Sequence, residues 1–329
     1  MPDSPGSLGS PAATATTTDA RPIFVIGFHR SGTTLLQALV GAHPRIGAPP
    51  EIGFFARVWA RRGSLGSLVD DAVLRRVVEL ALDRQTLVEA GFDSGRVFDR
   101  ARAGDRTYAG VLDAIMRDFA ERHGKARWCE KIPLQAASLI WEHFPSAQLV
   151  HIVRDPRDSV ASHSKLPWET PDPVTLARKW RDFTAEAIRE GALRGPSSYL
   201  RIRYEDLAGD PVAVLTQVFS FLGEDFDAAV VTDADRRRST VMPVATGWLG
   251  KVLEPISPAV EGAWRDNLPR SAQLRIAPVV NRLLVGLGYP ASTRAETVGG
   301  WALNAAMAPV VAGRRFSARV SHRLRSGTA

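Results

Sequence analysis

The chain alternates between short apolar runs and longer stretches in which apolar residues recur every three or four positions. The short runs are typical of strands buried in a parallel sheet, and the longer stretches are typical of helices that cover such a sheet. Strands are predicted at Ile23 to Ile26, near Trp128 to Lys131, at Gln148 to Val153 and at Tyr199 to Arg203. Helices are predicted from Leu35 onward and over residues 67–90, 105–122, 134–143, 172–193, 212–222 and 271–287, with an acidic turn, YEDLAGDP, after the last strand. This order predicts an α/β fold, a three-layer α/β/α sandwich around a central parallel sheet.

The first predicted strand runs directly into a loop with the spacing of a phosphate-binding loop. Gly27 and Gly32 are five positions apart, Thr33 and Thr34 follow, and an apolar helix begins at Leu35. Such glycines let the backbone turn around an anion, toward which the free N–H groups at the start of the helix point. A structural turn without a ligand is the alternative for this pattern.

This loop differs from the loop of nucleoside triphosphatases at one position. Thr33 stands where their lysine follows the second glycine, and the guanidinium of Arg30 lies inside the loop instead. The sequence therefore predicts a bound phosphate or sulfate group without the γ-phosphate lysine and without magnesium.

A second cluster of polar residues follows the third predicted strand. Arg154 is able to make two charged hydrogen bonds to a phosphate, and Ser162 offers a hydroxyl to the same group. A salt-bridge cluster that caps the next helix is the alternative, and it is the role expected of Asp155, Arg157 and Asp158. Two anion sites at the ends of two strands of one sheet predict a ligand with phosphate groups at both ends.

Composition indicates a globular protein of a reducing compartment. The chain has 329 residues, of which 45% are hydrophobic, and this is enough for a sizeable core. Cys129 is the only cysteine, which excludes an internal disulfide. Residues 1–20 lack the pattern of a secretory signal and are expected to be a disordered lead-in to a domain at 21–290. A cytoplasmic location is the resulting expectation.

Much of the net charge of +7 lies in the predicted tail, residues 291–329. This segment contains six arginines and one glutamate and is expected to be partly helical. Its arginines stand among apolar residues such as Trp301 and Phe316, so one interpretation is peripheral contact with the inner face of an anionic membrane. A solvated extension is the other interpretation. No nucleic-acid partner is expected.

Three segments together resemble sulfotransferases that use 3′-phosphoadenosine-5′-phosphosulfate (PAPS), and the resemblance covers residues 21–290. GFHRSGTTLL resembles the family's 5′-phosphosulfate loop, in the arginine form of tyrosylprotein and carbohydrate sulfotransferases. VRDPRDSVAS resembles the 3′-phosphate motif, and RYEDLAGDP resembles the segment whose tyrosine, here Tyr204, reaches the adenine. The resemblance implies metal-independent transfer of a sulfuryl group from PAPS to an acceptor hydroxyl, with release of 3′,5′-adenosine bisphosphate (PAP).

The resemblance also implies roles for individual residues. Glu51 is placed like the catalytic glutamate of tyrosylprotein sulfotransferases, and Lys131 like the lysine that supports the sulfuryl group and the leaving phosphate, with Arg30 as a further catalytic charge. Without the resemblance, Glu51 is expected to be a surface or capping carboxylate, and Lys131 a strand-end lysine that pairs with Glu130. The expected donor-binding residues are Arg30, Ser31, Gly32, Thr33, Thr34, Arg154, Ser162, Tyr204 and Lys251.

The segment EKIPL lacks the basic histidine that cytosolic family members carry there, which favours Glu51 as the base. His29, in the loop, and His151, in a strand, are expected to be structural.

The late part of the 3′-phosphate site also departs from the family. Tyrosylprotein enzymes have a lysine just before a late tryptophan, whereas Ala263 precedes Trp264 here. Lys251 or Arg265 is expected to compensate.

Two other functions stay open at the level of sequence. A P-loop kinase of small molecules fits the loop in outline, but Thr33 holds the lysine position and no magnesium carboxylate is evident beside it. A nucleotide-binding interaction protein without catalysis is the second, although Arg30, Glu51 and Lys131 are intact. The acceptor of a sulfotransferase is expected to be a small molecule, a carbohydrate or a lipid-linked compound, and no oligomeric state is predicted. Its cleft is expected to be lined by residues 53–125, 165–175 and 232–262.

Overall fold

The computed structural model describes residues 21–133, 135–165, 172–233, 256 and 262–308. Five strands form one sheet in the order β2-β3-β1-β4-β5, and every neighbouring pair is parallel. The strands are β1 (Ile23–Gly27), β2 (Ile46–Gly47), β3 (Arg127–Pro133), β4 (Gln148–Val153) and β5 (Tyr199–Arg203). The predicted parallel sheet is confirmed, and β4 and β5 have the predicted bounds.

Helices connect and cover the strands. The first nine are α1 (Thr33–Gly41), α2 (Phe54–Arg57), α3 (Arg62–Leu65), α4 (Asp71–Leu82), α5 (Gln85–Glu89), α6 (Ser94–Ala103), α7 (Tyr108–Arg122), α8 (Ala137–His143) and α9 (Pro156–His163), with a 3-10 turn at Trp59–Arg61. The others are α10 (Pro173–Arg194), α11 (Tyr204–Gly209), α12 (Pro211–Leu222), α13 (Ala229–Thr232), α14 (Trp264–Asn267), α15 (Arg270–Gly286) and α16 (294–308). Within the described ranges, every helix is too short or too polar to cross a membrane.

The central strand β1 separates two apolar cores because its side chains alternate between the faces of the sheet. Phe24 and Ile26 pack into a core with residues of α7, α8 and α10. Ile23 and Val25 pack on the opposite face with residues of α1 and α12. All four side chains are fully buried. This arrangement is the three-layer α/β/α sandwich that the sequence predicts.

Three details differ from the sequence prediction. The segment predicted as an acidic turn begins with helix α11, whose first turn contains Glu205 and Asp206, carboxylates that the helix dipole favours there. Helix α6 is not predicted, although Asp93 caps it by accepting a hydrogen bond from the N–H of Arg96. The helix predicted over residues 67–90 is two helices, α4 and α5.

The first part of the predicted tail packs on the domain. Asn304 of α16 accepts a hydrogen bond from Arg275 Nε of α15 at 3.0 Å and donates one to the Arg275 carbonyl at 2.9 Å. Arg270 and Glu296 form an ion pair of 2.7 Å between the same helices. Helix α16 is therefore attached to α15, and residues 309–329 lie outside the described part of the chain.

Candidate active site

The phosphate-type loop lies at the carboxyl end of β1, between the ends of β3 and β4. Gly32 has a left-handed φ of 92° and stands at the N-cap of α1, where it offers no side chain to the N–H groups of the first turn. Both glycines are required by close packing. A Cβ on Gly27 would lie 2.7 Å from the Ile152 carbonyl oxygen, and one on Gly32 would lie 2.5 Å from Tyr204 Cδ2. The backbone therefore has the shape of an anion-binding turn.

Arg30 joins this loop to the segment after β4. It has a φ of 63°, a left-handed conformation that costs a residue with a side chain about 1–2 kcal/mol. Its carbonyl accepts a hydrogen bond from Arg154 Nη1 at 3.0 Å, and its Nε donates to Ser162 Oγ at 3.2 Å. Burial and the nearby charge of Arg154 lower the pKa of Arg30. The residues predicted for two separate phosphate sites thus form one connected cluster.

Tyr204, the first residue of α11, borders the same cluster. Its ring centroid lies 4.5 Å from Arg154 Cζ, within the range of a cation–π contact. The ring also fills the space beside Gly32. Tyr204 therefore touches both segments that carry the predicted phosphate contacts.

Glu51 and Lys131 form an ion pair next to the loop. Lys131 Nζ lies 2.5 Å from Glu51 Oε2 and 3.5 Å from Thr34 Oγ1. The lysine side chain is 11% exposed, whereas that of Glu51 is 37% exposed, so the carboxylate reaches solvent and the ammonium is enclosed. Lys131 therefore pairs with Glu51, and the alternative partner suggested by the sequence, Glu130, is not its ion-pair partner.

The other charged residues after β4 hold the start of α9. The Asp155 carboxylate accepts from the Arg157 N–H at 2.8 Å and pairs with Arg157 Nη2 at 2.6 Å. Asp158 accepts from the N–H groups of Trp264 and Gly262, at 2.7 and 3.3 Å. These contacts are structural, as the sequence indicates for all three residues.

The late part of the predicted 3′-phosphate site is only partly described. Ala263 precedes Trp264, and Arg265 lies with its Cζ 4.7 Å from the centroid of that ring. Lys251 lies outside the described residues. Its role stays a prediction.

His29 and His151, which the sequence indicates are structural, both have lowered pKa values. His151 is fully buried, its Nδ1 lies 2.7 Å from the Tyr199 hydroxyl, and burial lowers its pKa to about 3. Burial, followed by the charge of His163, lowers the pKa of His29. Both residues are therefore expected to be neutral near pH 7.

Two residues that contact the backbone beside Glu51 are missed by the sequence reasoning. Arg84 Nη1 donates to the Glu51 carbonyl at 2.9 Å, and Glu130 Oε1 accepts from the Ile52 N–H at 3.1 Å. The signal available for Glu130 is a carboxylate inside an otherwise buried strand, which needs a partner. No pattern in the sequence points to Arg84.

Residues 22–228 match the model of the Sulfotransferase family. The chain belongs to this family. It is similar to protein-tyrosine sulfotransferase 1 of Danio rerio, with 24% identity over 285 residues that cover 81% of this chain and 72% of that protein. It is also similar to protein-tyrosine sulfotransferase 2 of Gallus gallus, with 24% identity, covering 79% of this chain and 68% of that protein. Among solved structures, the sulfotransferase domain from the Synechococcus PCC 7002 olefin synthase has a TM-score of 0.58 and 26% identity, over 84% of this chain and 98% of that one.

The family membership assigns sulfuryl transfer to this enzyme. The expected resemblance and the fold class are both confirmed. The kinase and the non-catalytic alternatives are not favoured.

Proposed function

We propose that this sulfotransferase takes its sulfuryl group from PAPS and transfers it to an acceptor hydroxyl, with release of PAP. The cluster of Arg30, Arg154 and Ser162 carries the proposal, because it joins the loop after β1 to the segment after β4. PAPS has a phosphosulfate at one end of its sugar and a 3′-phosphate at the other. A joined pair of cationic segments fits such a ligand better than ATP, which has no 3′-phosphate.

In the proposed donor site, the N–H groups at the start of α1 hold the 5′-phosphate. Arg154 and Ser162 hold the 3′-phosphate, Tyr204 contacts the adenine, and Lys251 is a further candidate for the 3′-phosphate. The residues of the loop that take part are Arg30, Ser31, Gly32, Thr33 and Thr34.

Glu51 is the proposed base. It accepts the proton of the acceptor hydroxyl, whose oxygen attacks the sulfur atom. As the new S–O bond forms, the bond from sulfur to the 5′-phosphate oxygen breaks, and its electron pair leaves with PAP. Lys131 lies between Glu51 and Thr34, so its ammonium supplies charge where the transferring group and the leaving phosphate would meet, and Arg30 adds to it. These side chains supply the charge, and the scheme uses no metal.

The proposed acceptor is the hydroxyl of a small molecule, a carbohydrate or a lipid-linked compound. A mass-spectrometric search for extracted metabolites that gain a sulfuryl group, when the enzyme and PAPS are added, identifies it.

Replacement of the proposed base tests the mechanism. Glu51→Gln keeps the size of the side chain but removes the proton acceptor, so kcat is expected to fall about 100-fold or more. PAP binding, measured by calorimetry, is expected to be unchanged. Glu89→Gln, on the exposed side of α5, is the matched control. Near-normal turnover of folded Glu51→Gln excludes Glu51 as the base, and stabilisation by ATP with no response to PAP favours the kinase instead.

For a partner, we propose peripheral contact of the C-terminal segment with an anionic membrane. One side of α16 packs on α15, while Val298 and Trp301 of α16 are 62% and 67% exposed. Residues 309–329 follow directly and contain five arginines and no acidic residue. An exposed aromatic residue beside a basic segment is typical of contact with the membrane interface.

A further inference from the structure

The peptide unit between Glu51 and Ile52 is held on both sides by side chains distant in sequence. Its carbonyl accepts from Arg84 Nη1 at 2.9 Å, and its N–H donates to Glu130 Oε1 at 3.1 Å. Arg84 is exposed and lies just before α5, whereas Glu130 is 1% exposed and lies within β3. The peptide that follows the proposed base is thus fixed between the sheet and the helical layer.

Burial of the Glu130 side chain at this place is energetically unfavourable. Its second oxygen, Oε2, has no hydrogen-bond partner among the described residues. Burial first, and then the nearby charge of Glu51, raise the pKa of Glu130 well above its usual range. A neutral carboxyl group therefore fits here, and it leaves Glu51 as the anion that pairs with Lys131.

We propose that Glu130 is a positioning residue, which holds the Glu51–Ile52 peptide so that the Glu51 carboxylate stays against Lys131. The inference rests on the proposed role of Glu51 as the base. Arg84 is the second half of the same clamp, on the opposite edge of the peptide.

The geometry of β3 explains how one strand contacts both the peptide after Glu51 and the Glu51 carboxylate. Adjacent residues of a strand point to opposite faces, so Glu130 and Lys131 leave β3 on different sides. Glu130 reaches the backbone after Glu51, and Lys131 reaches the Glu51 carboxylate. Together they fix both the backbone and the tip of the same residue. A displacement of about 1 Å at a reacting group is able to cost on the order of 100-fold in rate.

The clamp is tested with variants that remove one hydrogen bond each. Glu130→Met has a similar length but no acceptor, so kcat is expected to fall about 10- to 100-fold, with the KM for PAPS and the affinity for PAP unchanged. Glu130→Gln retains a neutral acceptor oxygen and is expected to restore kcat to near the wild-type value. Arg84→Met removes the hydrogen bond to the Glu51 carbonyl and is expected to lower kcat in the same way. Arg76→Met, on the exposed side of α4, is its control.

Two results overturn the clamp. The first is a wild-type kcat in both Arg84→Met and Glu130→Met. If Glu130→Met does not fold, a wild-type kcat in Arg84→Met is enough to overturn the clamp. The other is a loss in Glu130→Gln as large as that in Glu130→Met, which would mean that an ionised carboxylate is needed. Glu51→Gln distinguishes failure of the clamp from failure of the proposed base. If Glu51→Gln is active, the proposed base fails; if it is inactive while the clamp variants are fully active, only the clamp fails.

Discussion

Replacing Gly32 by alanine is expected to distinguish two contributions of this position. One is the left-handed backbone of the phosphate loop, and the other is the packing of the loop against Tyr204. At a φ of 92°, an alanine is strained by about 1–2 kcal/mol. Its Cβ would also lie 2.5 Å from Tyr204 Cδ2 and 2.9 Å from Cε2, closer than carbon atoms approach one another. The tyrosine ring is able to rotate away, so the overlap is relieved by displacement of the Tyr204 ring.

The two effects differ in what they change. The backbone strain lowers the free energy of unfolding by about 1–2 kcal/mol. Displacement of Tyr204 removes its contact with Arg154 and, in the proposed donor site, its contact with the adenine. Contacts between a base and an aromatic side chain contribute about 1–3 kcal/mol, so the dissociation constant of PAP is expected to rise about 5- to 150-fold.

Gly223→Ala is the matched control. Gly223 also has a left-handed φ, of 75°, but a Cβ there would meet no described atom within 4 Å. Chemical denaturation is expected to show a loss of stability in both variants, at least as large in Gly32→Ala because the contact of Tyr204 with Arg154 is also lost, and calorimetry with PAP is expected to show weaker binding in Gly32→Ala alone. Equal PAP affinity in Gly32→Ala and the wild type would refute the role given to Tyr204.

Three further outcomes are expected. Arg154→Ala is expected to weaken PAP binding strongly, and unchanged binding by calorimetry would refute the 3′-phosphate contact. For Asp118, burial alone would raise the pKa, but hydrogen bonds from Arg96 and Arg122 outweigh it and hold the pKa below its usual range. This stabilisation is complete above the unfolded pKa of about 3.9 and is lost as the pH falls through the folded pKa, so Asp118→Asn is expected to lower stability by about 2–3 kcal/mol at pH 7 and to have little effect in strong acid. Trp301→Ser is expected to weaken sedimentation of the full chain with vesicles that contain phosphatidylglycerol, and equal sedimentation with vesicles of phosphatidylcholine alone would contradict an electrostatic contact.

The proximity of Arg30 and Arg154 could be predicted from the sequence because both residues lie in short segments directly after strands. Arg30 follows β1 and Arg154 follows β4, and parallel neighbours bring their carboxyl ends together. Only the family resemblance points to Glu51 as a base. Its contact with Lys131 depends on β2, the strand before Glu51, lying next to β3, and strand order leaves no periodic signal in the sequence.

Arg84 and Glu130 could not be assigned for a related reason. Each makes a hydrogen bond to a backbone group of residues 51–52, from 33 and 78 positions away. Bonds from a side chain to a distant backbone group impose no pattern on the residues between them. Helix α11 is hard to predict for a different reason, since acidic residues favour a turn and the first turn of a helix alike.

The backbone of Arg30 joins the two segments that are proposed to bind phosphate. A left-handed arginine costs about 1–2 kcal/mol, and a hydrogen bond from a charged donor contributes about 1.5–3 kcal/mol. The bond from Arg154 Nη1 to the Arg30 carbonyl is therefore large enough to offset the strain. Arg154 then has two roles, as the proposed contact of the 3′-phosphate and as the support for the loop that would bind the 5′-phosphate. Loss of Arg154 is consequently expected to weaken contacts at both ends of the proposed donor, whereas loss of the Ser162 hydroxyl leaves the hydrogen bond to the Arg30 carbonyl in place.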